Sequence, residues 1–343
     1  PGEYPYKSVL TEKTCESIAY NLKRLGYGAH AIHNHRGAFY GRNKVFPNLG
    51  FDTFTSLEYM NSVSKTPKNW AKDSVLIGEI QAALESTESE DLVFAISVQG
   101  HGQYPEDKIL ENPAITIAGI TVESEANAIE YYIQQVHEMD EFIGELTAAL
   151  EQIGEPTVLV IYGDHLPGLP IEPDDLVNRN IYQTEYVIWD NIGLEKQDKD
   201  LSAYQLSAEV LGRIGIHEGI LTKYHQNHAE DLYYLNNLKA LQYDMLYGRG
   251  FIFGGANPYE PTDMKMGVRE IKVEKVVKIG GAYYIKGKNF TPYSKISIDG
   301  KVLDTIFLGP SVLGLLEEVP QEDVPRMKVS QVEKNKEILS TTE

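Results

Sequence analysis

Residues 157–165 read TVLVIYGDH. After its threonine, Thr157–Tyr162 is apolar at every position, so both faces of an extended chain here are apolar. That pattern belongs to a parallel strand covered by helices on both sides. Gly163 ends the run, and Asp164-His165 comes next as a carboxylate beside an imidazole.

Working outward, Leu92–Val98 is a second run of this type, Ala29–His33 is a shorter one, and Glu185–Trp189 reads as a fourth strand of the same kind. Between them lie helical patterns. Ile18, Ala19, Leu22 and Leu25 predict an amphipathic helix over 11–25, stopped by Gly26 and Gly28. Ile129, Ile133, Val136, Phe142, Ile143, Leu146 and Leu150 form one stripe of a long helix over 126–152, ended by Gly154 and Pro156. Helices at 203–214 and 229–246 complete the unit. Strands alternating with helices predict an α/β domain over 1–247, with a mostly parallel sheet sandwiched by helices.

The pattern changes downstream. Residues 248–264 are rich in Gly and Pro and read as a linker. Glu270–Ile279 alternates, Gly280-Gly281 signals a turn, and Asp299-Gly300 is a strong hairpin signal. Residues 265–326 are therefore read as a small all-β sandwich module, and 327–343 as a polar, frayed tail.

In an open α/β sheet, functional side chains gather just beyond the carboxyl ends of the strands. Three strand ends deliver His33, His35, Tyr40 and Arg42, then His101, then Asp164 and His165. Asp164-His165 offers one oxygen and one nitrogen to a divalent cation, a set suited to Mn²⁺ or Zn²⁺ and less to Mg²⁺. The other reading of Asp164 is a cap on the next helix or turn. His101 lies between glycines, where backbone approaches a ligand closely; it also reads as an exposed turn histidine. Arg42 is suited to a bidentate grip on phosphate, or is a surface arginine. Tyr40 walls a pocket or simply packs. His30 is read as structural, and His225-x-x-His228 has metal spacing without a strand end to support it. The chain holds no GxSxG elbow, no GxxxxGK[ST] loop and no GxGxxG after a strand.

The chain has 343 residues, and 50 acidic side chains against 31 basic ones give a net charge of −19. That charge argues against broad binding to nucleic acid or to an anionic membrane surface. No stretch approaches the roughly 18 apolar residues that span a bilayer. Cys15 is the single cysteine, which excludes an internal disulfide and a thiolate metal cluster. It is read as a packed thiol.

Three segments in order, 6–54 (YKSVLTEKTCESIAYNLKRLGYGAHAIHNHRGAFYGRNKVFPNLGFDTF), 94–105 (FAISVQGHGQYP) and 158–167 (VLVIYGDHLP), resemble the catalytic domain of lipoteichoic acid synthases and related phosphoglycerol transferases. These form a sulfatase-like branch of the alkaline phosphatase superfamily. The resemblance covers about residues 1–245. The β module looks like an immunoglobulin-like addition, most of all at 285–301 (IKGKNFTPYSKISIDGK).

The resemblance implies a set of site residues, an activity and a cellular place. Asp164 and His165 look like the family's late ligands to one divalent metal, Mn²⁺ first, Mg²⁺ or Zn²⁺ otherwise. His101 looks like the histidine near the leaving group. His33, His35, Tyr40 and Arg42 fall where phosphoglycerol is bound, although the family usually has Asp and Trp at His35 and Tyr40. The implied activity is transfer of glycerol phosphate from a phosphatidylglycerol-like lipid to a glycerol-phosphate polymer or glycolipid, building a lipoteichoic-acid-type polymer or modifying envelope glycans. The implied place is the extracellular face of the bacterial membrane, reached through upstream membrane segments. The family's Thr nucleophile and an early Glu ligand precede the matching segment, and Thr11 and Thr14 lack the surrounding pattern. The chain is thus expected to be a fragment, inert alone. Alternatives are a phosphoethanolamine transferase, a sulfatase or a phosphodiesterase of the same superfamily, or a non-catalytic cell-envelope binding module.

Overall fold

The computed structural model describes residues 4–334 and 336–343. Residues 1–3 of the predicted first domain and residue 335 of the predicted tail lie outside this set. The helices are α1 (Ile18–Lys23), α2 (Arg42–Asn48), α3 (Val75–Leu84), α4 (Glu123–Ile153), α5 (Leu206–Arg213), α6 (Ile220–His228) and α7 (Tyr234–Leu246). The first strands are β1 (Gly28–His33), β2 (Thr53–Ser56), β3 (Asp91–Ile96), β4 (Val158–Tyr162), β5 (Tyr186–Asp190) and β6 (Lys265–Met266). The later strands are β7 (Lys272–Ile279), β8 (Ala282–Lys288), β9 (Ser294–Ile298), β10 (Lys301–Val302), β11 (Thr305–Gly309), β12 (Val312–Leu315), β13 (Met327–Val332) and β14 (Ile338–Thr341).

The chain divides into two compact units. One comprises the chain up to Ser62, Gly78–Ile96 and Lys199–Glu343; the other comprises Val63–Ile77 and Ser97–Asp198.

The first unit is built on a four-stranded sheet in the order β3-β1-β2-β6, parallel throughout. Ala29 and Ala31 on β1 are fully buried, and with Ala19 they leave room for Phe46, Phe51 and Phe54. Small side chains on the central strand thus admit a cluster of large rings, which close-packing requires. His30 is structural: it sits buried between Thr53 (2.8 Å) and Asp91 (3.1 Å). α1 begins later than predicted, because the Ser17 side chain accepts from the Tyr20 amide (3.2 Å) and caps it there. Cys15 is buried, and burial pushes its thiol up to about 11, as a packed thiol should be. Thr14 donates its hydroxyl to the Tyr259 carbonyl (2.7 Å) and Thr11 to the Ser8 carbonyl (2.6 Å).

The same unit holds the β module. Its two four-stranded sheets run β10-β9-β13-β14 and β11-β12-β8-β7. Every pairing in them is antiparallel. Ile285, Phe290, Ile296, Leu313 and Val329 lie in one shared core. Asp299 (φ 49°) and Gly300 (φ 79°) both take the left-handed region that the tight β9–β10 turn demands.

Three features of this unit differ from the sequence-based expectation. Residues 327–343 are not a frayed tail but contain β13 and β14. The segment 248–264 is not a free linker: the Thr262 amide donates to the Pro47 carbonyl (3.1 Å), and the Tyr20 hydroxyl to the Glu260 carbonyl (2.7 Å). β6, expected to open the β module, instead extends the parallel sheet. The chain past residue 248 therefore returns along the α/β layer before entering the module.

The second unit contains α4 and a two-stranded sheet of β4 and β5. These strands pair antiparallel, Val160 opposite Ile188, and are not part of the parallel sheet that the sequence predicts for them. Nor are they covered on both faces: Tyr162 and Val187 are exposed, so the apolar run reports neither cover nor strand direction here.

Candidate functional site

The candidate residues divide between the two units. His33, His35, Tyr40 and Arg42 belong to the first, on and after β1. His101, Asp164 and His165 belong to the second.

His33 ends β1 and is only 3% exposed. Its Nδ1 donates to the Ile96 carbonyl on β3 (2.7 Å), which leaves Nε2 as an acceptor. Burial, then the positive charge of Arg42, lower its pKa to about 3, against the opposing effect of the Ile96 bond. His33 is therefore neutral at physiological pH. The unfolded chain binds this proton near the ordinary 6.5, and the folded chain does not until about 3. The resulting stability is complete above pH 6.5 and is lost as pH falls. Between pH 6.5 and 5 the loss is about 2 kcal/mol. His33→Asn should lack that component, and urea midpoints at the two pH values measure it.

The His35 ring lies 5.7 Å from that of His33 and 4.8 Å, edge-on, from Phe39. Tyr40 holds φ 58° and Gly41 φ 68°. A tyrosine in the left-handed region is strained, and its ring is 49% exposed. Arg42 then starts α2. Its guanidinium donates to the Phe39 carbonyl (3.3 Å), hydrogen-bonds Tyr6, and lies 5.5 Å from the Tyr40 ring centre. Among the described residues no carboxylate pairs with it. Burial lowers its pKa. Lys7 adds a second positive charge 3.9 Å over the Tyr40 ring. Sequence reasoning missed Tyr6 and Lys7, although YK opens the matching segment.

The loop after β1 is braced by the β module. Arg36 pairs with buried Glu333 (2.9 Å), just past β13. The Gly37 amide donates to Glu58 Oε2 (3.1 Å), which also accepts from Ser56 (2.6 Å). A Cβ on Gly37 would stand 2.8 Å from Ser56 Oγ and 3.2 Å from Leu339 on β14. Gln331 and Thr291 both donate to the Glu58 carbonyl, each at 2.6 Å. Tyr59 hydrogen-bonds Ser340 (2.6 Å).

In the second unit, His101 is exposed, with Nδ1 on the Gly102 carbonyl (2.6 Å) and its ring 5.2 Å from Trp70. Asp164 and His165 are 83% and 67% exposed, and Asp164 Oδ1 lies 3.7 Å from His165 Nε2. His165 Nδ1 donates to the Leu166 carbonyl (2.7 Å), so Nε2 is the nitrogen presented outward. The pair has the right donor chemistry for a divalent cation. It is not a complete set: among the described residues no group of three or more His, Cys, Asp or Glu could hold a metal. His225 instead bonds the Tyr234 hydroxyl (2.6 Å), and His228 pairs with Asp231 (2.7 Å). Among the described residues, no helix is long and apolar enough to cross a membrane.

Comparison with known proteins agrees with this architecture. A protein named for cyclic beta-1,2-glucan modification from Rhizobium meliloti (strain 1021) is 29% identical over 231 residues, 62% of this chain and 36% of that protein. The capsular polysaccharide biosynthesis protein RkpI of the same organism is 26% identical over 150 residues, 43% of this chain and 25% of that protein. The chain thus spans about a third or less of the length of these relatives. Among solved structures, the Streptococcus pyogenes phosphoglycerol transferase GacH in complex with sn-glycerol-1-phosphate aligns with a TM-score of 0.57 at 22% identity. That alignment covers 67% of this chain and 64% of GacH, and it supports the fold. The sulfatase family model matches residues 2–216, well over half of the sequence, and the chain belongs to the sulfatase family.

Proposed function

We propose that the protein carrying this sequence transfers glycerol phosphate from a phosphatidylglycerol-like lipid to a polymer or glycan acceptor of the cell envelope, at the extracellular face of the membrane. One observation carries the reading: Arg42 is a half-buried cation that no carboxylate among the described residues neutralises, set beside the Phe39 and Tyr40 rings. A buried charge left unpaired is unfavourable, and a planar guanidinium matches a phosphoryl group's oxygens bidentately. Neutral His33, if its Nε2 faces bound ligand, would accept from a glycerol hydroxyl.

In this reading the phosphorus–oxygen bond to diacylglycerol breaks as a nucleophile from sequence outside these 343 residues bonds to phosphorus. His101, whose Nδ1 donates to the Gly102 carbonyl, would act as the imidazolium and give its Nε2 proton to the departing oxygen. A divalent cation, Mn²⁺ first, belongs to the proposal as a group that Asp164 and His165 would hold jointly with ligands from outside this sequence. When bound, it would stabilise negative charge at the phosphoryl group. GacH, of the same fold, is a phosphoglycerol transferase, and the relative named for glucan modification favours a glucan as acceptor.

The test is headgroup release by the full-length protein in Mn²⁺. Release of glycerol phosphate from phosphatidylglycerol, abolished by chelation and by His101→Ala, is the expected result. Turnover of phosphatidylethanolamine or an aryl sulfate in its place would move the activity elsewhere in the family. Failure to turn over any ester would favour a binding module.

A further inference from the structure

Residues 66–73 form a short loop in the same unit as His101. The Thr66 amide donates to the Trp70 carbonyl (2.8 Å), and the Trp70 amide to the Thr66 hydroxyl (3.2 Å), so the loop is tied back on itself. Two of its side chains reach the His101 segment. The Trp70 ring centre stands 5.2 Å from that of His101. Three residues on, Asp73 is fully buried. Asp73 Oδ1 accepts from the Val98 amide (3.2 Å) and the Gln99 amide (3.3 Å). In return, the Asp73 amide donates to Gln99 Oε1 (2.8 Å). Each of these two side chains thus holds the other residue's backbone.

The clasp is anchored from behind. Gln99 is buried, and its Nε2 donates to Gln135 Oε1 (3.1 Å) and to Glu138, both on α4. Lys72 pairs with Glu138 (2.9 Å). The clasped backbone ends two residues before His101, whose own amide donates to the Val98 carbonyl (3.0 Å). His101 is exposed and lies between Gly100 and Gly102, which give it little local rigidity. Its position is therefore inherited from Val98 and Gln99, and the Trp70 ring limits where its imidazole can swing. A buried carboxylate is unfavourable unless hydrogen bonds compensate it. An apolar side chain at position 73 would avoid that penalty but could not hold two amides.

We propose that Trp70 and the Asp73–Gln99 clasp are positioning residues that aim the His101 Nε2 proton at the oxygen leaving phosphorus. The aim rests on the transferase reading; the clasp does not. In that step the nucleophile bonds to phosphorus and the phosphorus–oxygen bond to diacylglycerol breaks. The imidazolium Nε2 proton passes to the departing oxygen and leaves a neutral imidazole. A general acid acts only within hydrogen-bond reach, and a displacement of about 1 Å costs about 10²-fold.

The experiment compares the full-length protein on two donors that differ in the group that leaves: phosphatidylglycerol, and the p-nitrophenyl ester of glycerol phosphate. Nitrophenolate departs without a proton and does not need the acid. Asp73→Ala and Trp70→Leu should each lower kcat on phosphatidylglycerol roughly 10²-fold with KM unchanged, and keep kcat on the nitrophenyl ester within about threefold. Asp73→Asn keeps an oxygen facing both amides and should recover most of the lipid turnover. Trp70 is only half-buried, so its replacement guards against a variant that fails to fold. Equal loss on both esters, or no loss on the lipid, overturns the proposal. The clasp is also read without turnover, by amide hydrogen exchange: Asp73→Ala should speed exchange across residues 98–101 roughly tenfold. Unchanged exchange there overturns the proposal whatever the esters do. Faster exchange in a protein whose wild type turns over neither ester would retain the clasp and remove the transferase reading.

Discussion

Arg42→Ala is expected to lower phosphoglycerol turnover by the full-length protein roughly 10²- to 10³-fold, the loss typical of removing one preorganised donor from developing charge. The same substitution should leave the unfolding midpoint unchanged or raise it. Arg42 has no carboxylate partner among the described residues, and burial disfavours its charge. Removing it relieves the folded state of a half-buried cation, which offsets the loss of its hydrogen bonds to the Phe39 carbonyl and Tyr6. Loss of turnover with retained stability separates a ligand-binding arginine from a structural one. Arg42→Lys keeps the charge and loses the planar fork, so its turnover should fall between the two. An Arg42→Ala protein with normal turnover would refute the assignment.

The second large effect is on stability. Phe46 is 1% exposed, and its ring centre lies 4.8 Å from Phe54, 5.2 Å from Phe51 and 6.4 Å from both Phe94 and Tyr6. Phe46→Ala should cost about 3–5 kcal/mol, from lost transfer energy and the cavity left among rings that cannot all collapse into it. Arg42 stands four residues earlier on the same helix, so both face one side of α2. The substitution should therefore weaken phosphoglycerol binding as well. Phe46→Leu keeps much of the volume and should lose markedly less. Urea midpoints of the two variants test this; equal midpoints would show that the aromatic cluster does not hold α2.

Much of the fold and of the candidate site is legible in the sequence. β1 and β3 show as short runs rich in apolar residues, α4 keeps one stripe over its length, and Asp299-Gly300 announces its turn. The strand ends lead to His33, Arg42, His101 and Asp164-His165. What stays hidden has physical causes. α2 is seven residues long and contains Pro47, and β2 has four residues, too few for a period to show. The direction of β4 and β5 is set by the return of the chain, which apolarity does not encode. β13 and β14 look like tail because they are polar, yet Ser330 and Gln331 are buried. Ser330 bonds Ser297 and Thr341, each at 2.8 Å, and Gln331 reaches Glu58. Side-chain hydrogen bonds replace apolarity there, and composition counts such residues as solvated. Tyr6 and Lys7 join the loop through tertiary packing alone.

The bracing of the loop by β13 and β14 also sets a timetable. Its hydrogen bonds join residues 273 and 281 positions apart, Glu58 to Gln331 and Tyr59 to Ser340. At roughly 5–20 residues per second, a ribosome needs about 15–55 s to deliver the second partner after the first. Throughout that interval the nascent loop carries Arg36 without Glu333 and a Glu58 carbonyl without Gln331. The loop after β1 is thus among the last parts of the first unit to set, once β13 and β14 have been made.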